Sequence, residues 1–285
     1  MTAEVSIVVV PRERFSYARD ALEALYRHTE PPFELVYVDA GSPSGLRACL
    51  EEQAASRGFA LVRAGRFLTP NEARNLGFAR VRTRYTVFLD NDVAVSAGWL
   101  PPLLRCAEET GAAVVGPLYC IDEPLHRRVH MAGGLARFEE RDGRRRFVEK
   151  HLHIWRPIEE VRPQVARSRC EHQEFHCMLV RSEVLRALGP LDESLLSVTE
   201  TQLDFCLQVR AAGHEVWFEP ASVVTYVRPP PFEPSDLAYW LWRWDDERAR
   251  LGLERFRVKW GLERDDPYPE VRRRWIAEHR QRLTR

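Results

Sequence analysis

Lysine is nearly missing from this chain of 285 residues: it occurs only at Lys150 and Lys259, so arginine carries almost all positive charge. No function follows from that bias. Neither sign is in excess, because 42 Lys and Arg balance 42 Asp and Glu. Nucleic-acid binders normally show a basic surplus, so no nucleic-acid partner is expected. No apolar run approaches the ~18 residues that a membrane helix needs. The opening Met1-Thr2-Ala3-Glu4 lacks the charged-then-apolar pattern of a signal peptide. The six cysteines (Cys49, Cys106, Cys120, Cys170, Cys177, Cys206) form no C-x-x-C pair. That spacing suits neither a zinc knuckle nor a disulfide framework. Reduced thiols and a cytoplasmic location are the expectation. Against these absences, 45% of the residues are hydrophobic, enough to bury a full core and to exclude a disordered chain.

The first half alternates strand and helix signals. Residues 5–10 (VSIVVV) are a β-branched run of the buried parallel type. Ala18, Leu22, Leu25 and Tyr26 then recur at helical spacing. A second strand over 33–38 runs into Asp39-Ala40-Gly41-Ser42-Pro43. A helix over 46–55 and a strand over 59–62 follow. Thr69-Pro70-Asn71-Glu72 carries the marks of a helix start: a capping Thr, Pro in the first turn, and Glu three residues on. The strand over 85–89 (YTVFL) enters Asp90-Asn91-Asp92, and a helix over 99–110 and a strand over 112–116 complete the series. This order predicts an α/β fold, a mostly parallel sheet with helices on both faces. The middle predicts a hairpin over 135–150 about Asp142-Gly143, then an irregular, mobile stretch over 151–170. A strand over 174–180, helices over 182–188 and 200–212, and strands over 215–218 and 222–227 follow. Pro229-Pro230-Pro231 marks a boundary before a tryptophan-rich tail.

Ligands of open parallel sheets bind beyond the carboxyl ends of the strands. Three polar clusters fall there: Pro11-Arg12-Glu13, Asp39, and Asp90-Asn91-Asp92. Two carboxylates two positions apart, after a buried strand, call for a positive partner. Mn²⁺ or Mg²⁺ holding a diphosphate would supply it. A bare Asp-x-Asp is common by chance, so the two upstream clusters carry much of the weight. No G-x-G-x-x-G follows the first strand, which disfavours a dinucleotide-dependent dehydrogenase. Pro11-Arg12-Glu13-Arg14 also lacks the glycines of a nucleotidyltransferase phosphate loop.

The segments VSIVVVPRER, FELVYVDAGSPSG, TPNEARNLGFARV, YTVFLDNDVAVSAGWL, EFHCMLVRSEVLRALGPLDE and TETQLDFCLQVRAAGHEVWFEP occur in this order over roughly residues 5–227. Together they resemble the family 2 glycosyltransferases of the GT-A fold. The resemblance implies inverting transfer of a sugar from a nucleotide-diphosphate donor, with UDP the favoured nucleotide. It implies Asp90 and Asp92 as metal and diphosphate residues, with Asn91 between them. It also implies Asp39 at the nucleoside and Ala73, Arg74 and Asn75 against the donor; Pro11 and Glu13 join the donor candidates. Two departures stand out. Many relatives carry a second aspartate where this chain has Ala40. The family's acidic Glu-Asp-x-Asp motif is here Thr199-Glu200-Thr201-Gln202-Leu203-Asp204. A gap-free match puts Thr201 and Gln202 at the first two acidic positions. The base is then Glu200 or Asp204, with Glu200 slightly preferred, or it is degraded. The last possibility favours a rival reading, a non-catalytic nucleotide-sugar-binding or scaffold protein.

Relatives often supply a third metal ligand as a histidine on the strand after the acidic helix, where this chain reads Val223-Val224-Thr225-Tyr226. His130, before two glycines, and His176 are the alternatives, and both join Glu174 as acceptor-region candidates. Trp240-Leu241-Trp242-Arg243-Trp244 resembles the Gln-x-x-Arg-Trp motif of processive members, with Trp240 in place of Gln. Arg243 and Trp244 are therefore donor candidates, although core packing of these tryptophans is the plainer reading. From Leu241 onward, 13 Lys and Arg face 9 Asp and Glu. Such a tail suits weak contact with an anionic membrane, or packing on the parent domain with charges outward, which is preferred. The expected organisation is a GT-A domain over 1–228 and a helical extension over 229–285. The acceptor (glycan, lipid-linked, peptide or small molecule) is left open.

Overall fold

The computed structural model describes residues 3–141, 143–196, 199–229 and 231–284. Asp142 and Pro230, named above at the turn and at the boundary, lie outside them. The elements run β1 (Val5–Val10), α1 (Ala18–His28), β2 (Glu34–Ala40), α2 (Ser44–Arg57), β3 (Ala60–Ala64), α3 (Pro70–Phe78), β4 (Tyr85–Asp90), β5 (Val93–Val95), α4 (Leu100–Thr110) and β6 (Val114–Ile121). They continue β7 (Val129–Met131), β8 (Gly134–Arg141), β9 (Arg144–His151), α5 (Ile158–Val161), β10 (Ser168–Cys170), β11 (Cys177–Arg181), α6 (Ser182–Leu188), α7 (Thr199–Ala211) and β12 (Val216–Tyr226). Three C-terminal helices follow: α8 (Leu237–Arg243), α9 (Asp246–Trp260) and α10 (Pro267–Arg280).

Ten strands form one sheet whose main path is β10-β12-β6-β11-β4-β1-β2-β3. The β3-β2-β1-β4 half is parallel. The mostly apolar strand β1 sits in its middle, buried on both faces, as such runs are in parallel sheets. β11 inserts antiparallel between β4 and β6, while β6 and β12 pair parallel. Two apolar layers enclose the sheet. One gathers Ile7, Leu22, Leu25, Tyr85, Trp99 and Leu103; the other gathers Val8, Val38, Phe88, Phe175, Met178 and Phe205.

Several local expectations hold. Thr69 and Glu72 form a reciprocal capping box at the start of α3. β4 ends at Asp90, so the aspartate pair emerges at the carboxyl edge of the sheet. Others need correction. The stretch 151–170 is not structureless: it contains α5 and β10, because Ile158 and Val161 bury against Val129 and Phe218. The two strands expected over 215–227 are one strand, β12, with a register shift between Glu219 and Val223. Residues 174–176 precede β11 rather than belonging to it, since pairing begins with Cys177 opposite Leu89.

The C-terminal helices share a core with the body. Trp240, Trp244, Leu253, Phe256 and Ile276 pack with Phe147 of β9 and with Leu203 and Leu207 of α7. No described helix is long and apolar enough to cross a membrane.

Candidate active site at the carboxyl edge of the sheet

β1 and β4 are neighbours in register, Val10 opposite Asp90, so the loops that leave them meet. Asn91 pins them together: Oδ1 accepts from the Arg12 backbone N–H at 3.0 Å, and Nδ2 donates to the Arg14 carbonyl at 2.9 Å. This places Arg12 beside the aspartates. Arg12 Nη1 donates to Asp90 Oδ2 at 3.3 Å, and its guanidinium lies 4.5 Å from the centre of the Tyr226 ring. Arg74, from α3, donates to Asp90 Oδ1 at 3.2 Å. His176 completes the set, with Nδ1 3.1 Å from Asp90 Oδ2. Two arginines and a histidine hold the Asp90 carboxyl below the usual range against the opposing effect of burial.

Asp92 is the opposite case. It is fully buried, and neither carboxylate oxygen has a hydrogen-bond partner. Burial raises its pKa well above the usual value, and Glu13 and Asp90 add to the shift while Arg12 opposes it. Arg74 is also incompletely satisfied: its Nε and Nη1 have no hydrogen-bond partner, although the group is 2% exposed and lies over the Phe175 ring. Buried donors on Arg74 and buried acceptors on Asp92 are therefore left without hydrogen bonds beside Asp90.

Two cavities open on either side of these residues along the sheet edge. The first, about 720 Å³, lies past β2 and β3 and is lined by Gly41, Arg47, Arg66, Phe67, Trp242 and Arg248 among others. Phe67 and Trp242 offer aromatic faces with ring centres 5.6 Å apart. The second, about 550 Å³, includes Arg12, His130, His151, Glu174, Gln202 and Tyr226 in its wall. Glu174 is its central acid. His130 Nε2 lies 2.8 Å from Glu174 Oε2, and Gln202 Nε2 donates to Oε1 at 3.5 Å. The surrounding histidines hold Glu174 well below the usual carboxyl range despite burial.

The remaining sequence candidates are placed as follows. Asp39 accepts from the Ser42 backbone N–H at 3.0 Å and from Arg63 Nε at 3.1 Å, shaping the turn that leads to the first cavity. Asn75 bonds Leu191 and Glu193, so it ties α3 to the loop before α7. Glu13 is buried between Arg12 and His279. The Pro11 carbonyl accepts from the Tyr239 hydroxyl, and the Arg12 carbonyl accepts from Arg243 Nε, so α8 is tied to the loop after β1 that Asn91 pins to the aspartate loop. Trp244 packs at tilted and edge-on angles against Trp240, Trp275 and His279 inside the C-terminal core. Glu200 is buried in the first turn of α7. Asp204 accepts from Lys259 and Trp260 of α9, each at 2.9 Å.

Sequence reasoning did not single out Phe67 or the individual role of Arg12, and it named Gln202 and Tyr226 only as departures from the family's pattern. Arg12 carried a signal, its place between Val10 and Glu13 at a strand end. Gln202 carried one as well, its place at a position where relatives have an acid.

Solved structures share this architecture. GalNAc-T7 with UDP, GalNAc and Mn²⁺ superposes with a TM-score of 0.63 at 17% identity, covering 98% of this chain and 54% of that one. S. aureus TarS 1-349 in complex with UDP-GlcNAc gives 0.58 at 12% identity, covering 94% and 75%. The GT-A fold is thereby shown. Among curated proteins, the uncharacterized protein y4gI of Sinorhizobium fredii (strain NBRC 101917 / NGR234) is 29% identical over 229 residues, which are 76% of this chain. The chain spans about a quarter of that relative's length (24%). The model of glycosyl transferase family 2 matches residues 6–189, well over half of the sequence, and the chain belongs to that family.

Proposed function

We propose that this protein transfers a sugar, with inversion, from a nucleotide-diphosphate donor to an acceptor hydroxyl, and that a divalent cation assists. One observation carries the reading: Arg74 has unused N–H groups and Asp92 has unused carboxylate oxygens, and both are buried beside Asp90. A diphosphate satisfies the first and a cation satisfies the second. Each would otherwise cost the desolvation of an unpaired group. The residues therefore fit a metal–diphosphate group. Asp92 would hold the cation, with Asp90 fixed behind it by Arg12, Arg74 and His176. Mn²⁺ or Mg²⁺ would supply charge stabilisation at the leaving diphosphate.

The two cavities on either side of Asp90 support a division of the substrate between them. The nucleoside enters the cavity past β2 and β3, where Phe67 and Trp242 stack on a base, and Arg66 and Arg248 bring positive charge. UDP is the favoured nucleotide, supported by the UDP and UDP-GlcNAc of the two structural neighbours. The acceptor enters the second cavity, where Glu174 is ionised at neutral pH and faces the incoming hydroxyl. Glu174 takes its proton as general base, held by His130 and Gln202. This replaces the acidic helix residues of relatives, because α7 presents Gln202 rather than a carboxylate to that cavity. Arg74 and Arg12 stay fixed while charge builds on the diphosphate, so little reorganisation accompanies the reaction.

A transfer and hydrolysis assay over a panel of NDP-sugars with Mn²⁺ tests the proposal. Turnover of one donor class, lost in Asp92→Ala, is the expected result. Binding of a nucleotide sugar without turnover under all conditions would leave only the scaffold reading.

A further inference from the structure

A second group of metal-ligand side chains stands away from the aspartate pair. Glu149 and His151 lie two apart on β9, so strand periodicity puts them on one face. His172 approaches from the loop after β10. Gly134 brings the three together: it pairs with His151 on one side and bridges to His172 on the other. A Cβ at Gly134 would come within 2.3 Å of His172 Nε2, so only glycine lets that ring lie there. The ligating atoms of Glu149, His151 and His172 all fall within 4.8 Å of one another. His151 Nε2 is 3.3 Å from Glu149 Oε1. That separation matches the edge of a tetrahedron with metal–ligand bonds of ~2.0–2.1 Å.

An independent observation points to a missing ligand. His172 is fully buried, and neither of its ring nitrogens has a side-chain hydrogen-bond partner. Glu149 meanwhile pairs through its other oxygen with Arg272 of α10, the kind of outer contact that orients a ligating carboxylate.

We infer that Glu149, His151 and His172 form a zinc-class transition-metal site in the wall of the second cavity, separate from the cation at Asp92. Two imidazoles and one carboxylate suit Zn²⁺ and its neighbours better than Mg²⁺, which prefers oxygen ligands. Glu149 and His151 line the cavity, and Glu174 Oε1 stands 3.7 Å from His151 Nε2, next to the remaining coordination position. The ion would join β9 to the loop after β10 and fix the wall against which the acceptor rests.

The test uses the full chain, stripped with a chelator and dialysed, with Zn²⁺ and Co²⁺ alone as probes. Calorimetry should give one tight equivalent of Zn²⁺ in the unmodified protein and in Asp92→Asn. Co²⁺ should show the visible bands of a tetrahedral nitrogen–oxygen site in both. His172→Asn and His151→Asn should weaken Zn²⁺ by more than ~10²-fold, beyond the ~10–100-fold cost of losing a ligand's outer partner. Near-UV circular dichroism checks that each variant is folded, and Glu149→Gln serves if a histidine variant is not. Unchanged Zn²⁺ affinity in the folded variants overturns the site. So does absence of tight Zn²⁺ in the unmodified protein, or its loss in Asp92→Asn. None of these outcomes depends on whether the protein transfers a sugar.

Discussion

Arg74 donates to Asp90 across 3.2 Å with both side chains buried, and the link joins the first turns of α3 to the end of β4. The burial of Arg74 gives a sharp expectation. Arg74→Met removes a cation from a buried carboxylate that Arg12 and His176 also hold. Breaking a buried pair costs about 3–5 kcal/mol when nothing else compensates, and the two remaining partners should reduce that. Thermal unfolding should show a lowered Tm, and calorimetry with UDP should show weaker binding. Arg74→Lys should recover much of the Tm but less of the UDP affinity, because an ammonium cannot reproduce the guanidinium fork. Full UDP affinity in Arg74→Met would remove Arg74 from the donor site.

Asp92 should behave in the reverse way. Its carboxyl has a raised pKa in the folded state, so ionisation opposes folding at every pH above its unfolded value. Asp92→Asn should therefore raise the Tm of the metal-free protein at pH 7.5 while abolishing transfer. Each kcal/mol gained corresponds to about 2–4 °C in a domain of 150–250 residues. The gain should shrink as the pH falls through ~4 and vanish well below it, where Asp92 is protonated even in the unfolded chain. Mn²⁺ with UDP should stabilise the unmodified protein and not the variant. A variant with unchanged Tm and unchanged Mn²⁺ response would place the cation elsewhere.

Acid should destabilise the wall of the second cavity. Burial lowers His130 to about 4, and neighbouring histidines lower Glu174 well below its ordinary value. A histidine with a lowered folded pKa contributes stability that is full above ~6.5 and is lost as the pH falls toward that folded value. A depressed glutamate works in the same direction at lower pH. Chemical denaturation from pH 7 to pH 4 should show falling stability, by at most about 1.4 kcal/mol per pH unit for each group. His130→Asn should flatten the upper part of that slope. An identical slope in the variant would assign the acid sensitivity to other groups.

How much of this was legible from the sequence depends on how local each feature is. β1, β2 and β4 are mainly apolar, β-branched and aromatic runs, and Thr69 to Glu72 spells out its own cap, so the parallel half of the sheet and the start of α3 could be read directly. The aspartate pair was legible for the same reason, as the polar end of an apolar strand. What could not be read was the partnership of distant residues. Glu174 draws its neighbours from His130 before the hairpin, His151 at its end and Gln202 in α7, and no spacing in the chain reports that meeting. β12 looked like two strands because Glu219 to Ala221 interrupts its alternation, and only pairing with β6 shows that the strand continues through a bulge.

Asp204 is the second carboxylate of the α7 motif. It continues the family pattern through Phe205-Cys206-Leu207, yet its oxygens accept from Lys259, Trp260 and Gln208. Those contacts tie α7 to α9 of the C-terminal extension. Asp204→Asn should lower stability by about 1–3 kcal/mol, the usual cost of disrupting buried charged hydrogen bonds, while leaving kcat of the folded protein within a few-fold. Lys259→Met should do the same. A folded Asp204→Asn with kcat reduced a hundredfold would restore this aspartate to the reaction.

Two other carboxylates, Glu174 and Glu200, are the candidates that an experiment must separate as base. Glu174 lines the second cavity, and its oxygens face His130, His151, His176 and Gln202. Glu200 is buried at the start of α7 and does not appear in the described wall of that cavity. A general base needs hydrogen-bond reach to the acceptor hydroxyl, directly or through one water. Glu174→Gln keeps the size of the side chain and removes its basicity. It should lower kcat by ~10²–10⁴-fold with donor affinity unchanged, since the donor lies on the other side of Asp90. Glu200→Gln should act mainly through stability, with kcat per folded molecule nearly intact. The pH profile gives a separate readout: the acidic limb of kcat/KM should belong to Glu174 and vanish in Glu174→Gln. If Glu200→Gln instead loses kcat while Glu174→Gln retains it, the first turn of α7 supplies the base, and Glu174 is left to hold His130 and His176 in position beside the acceptor.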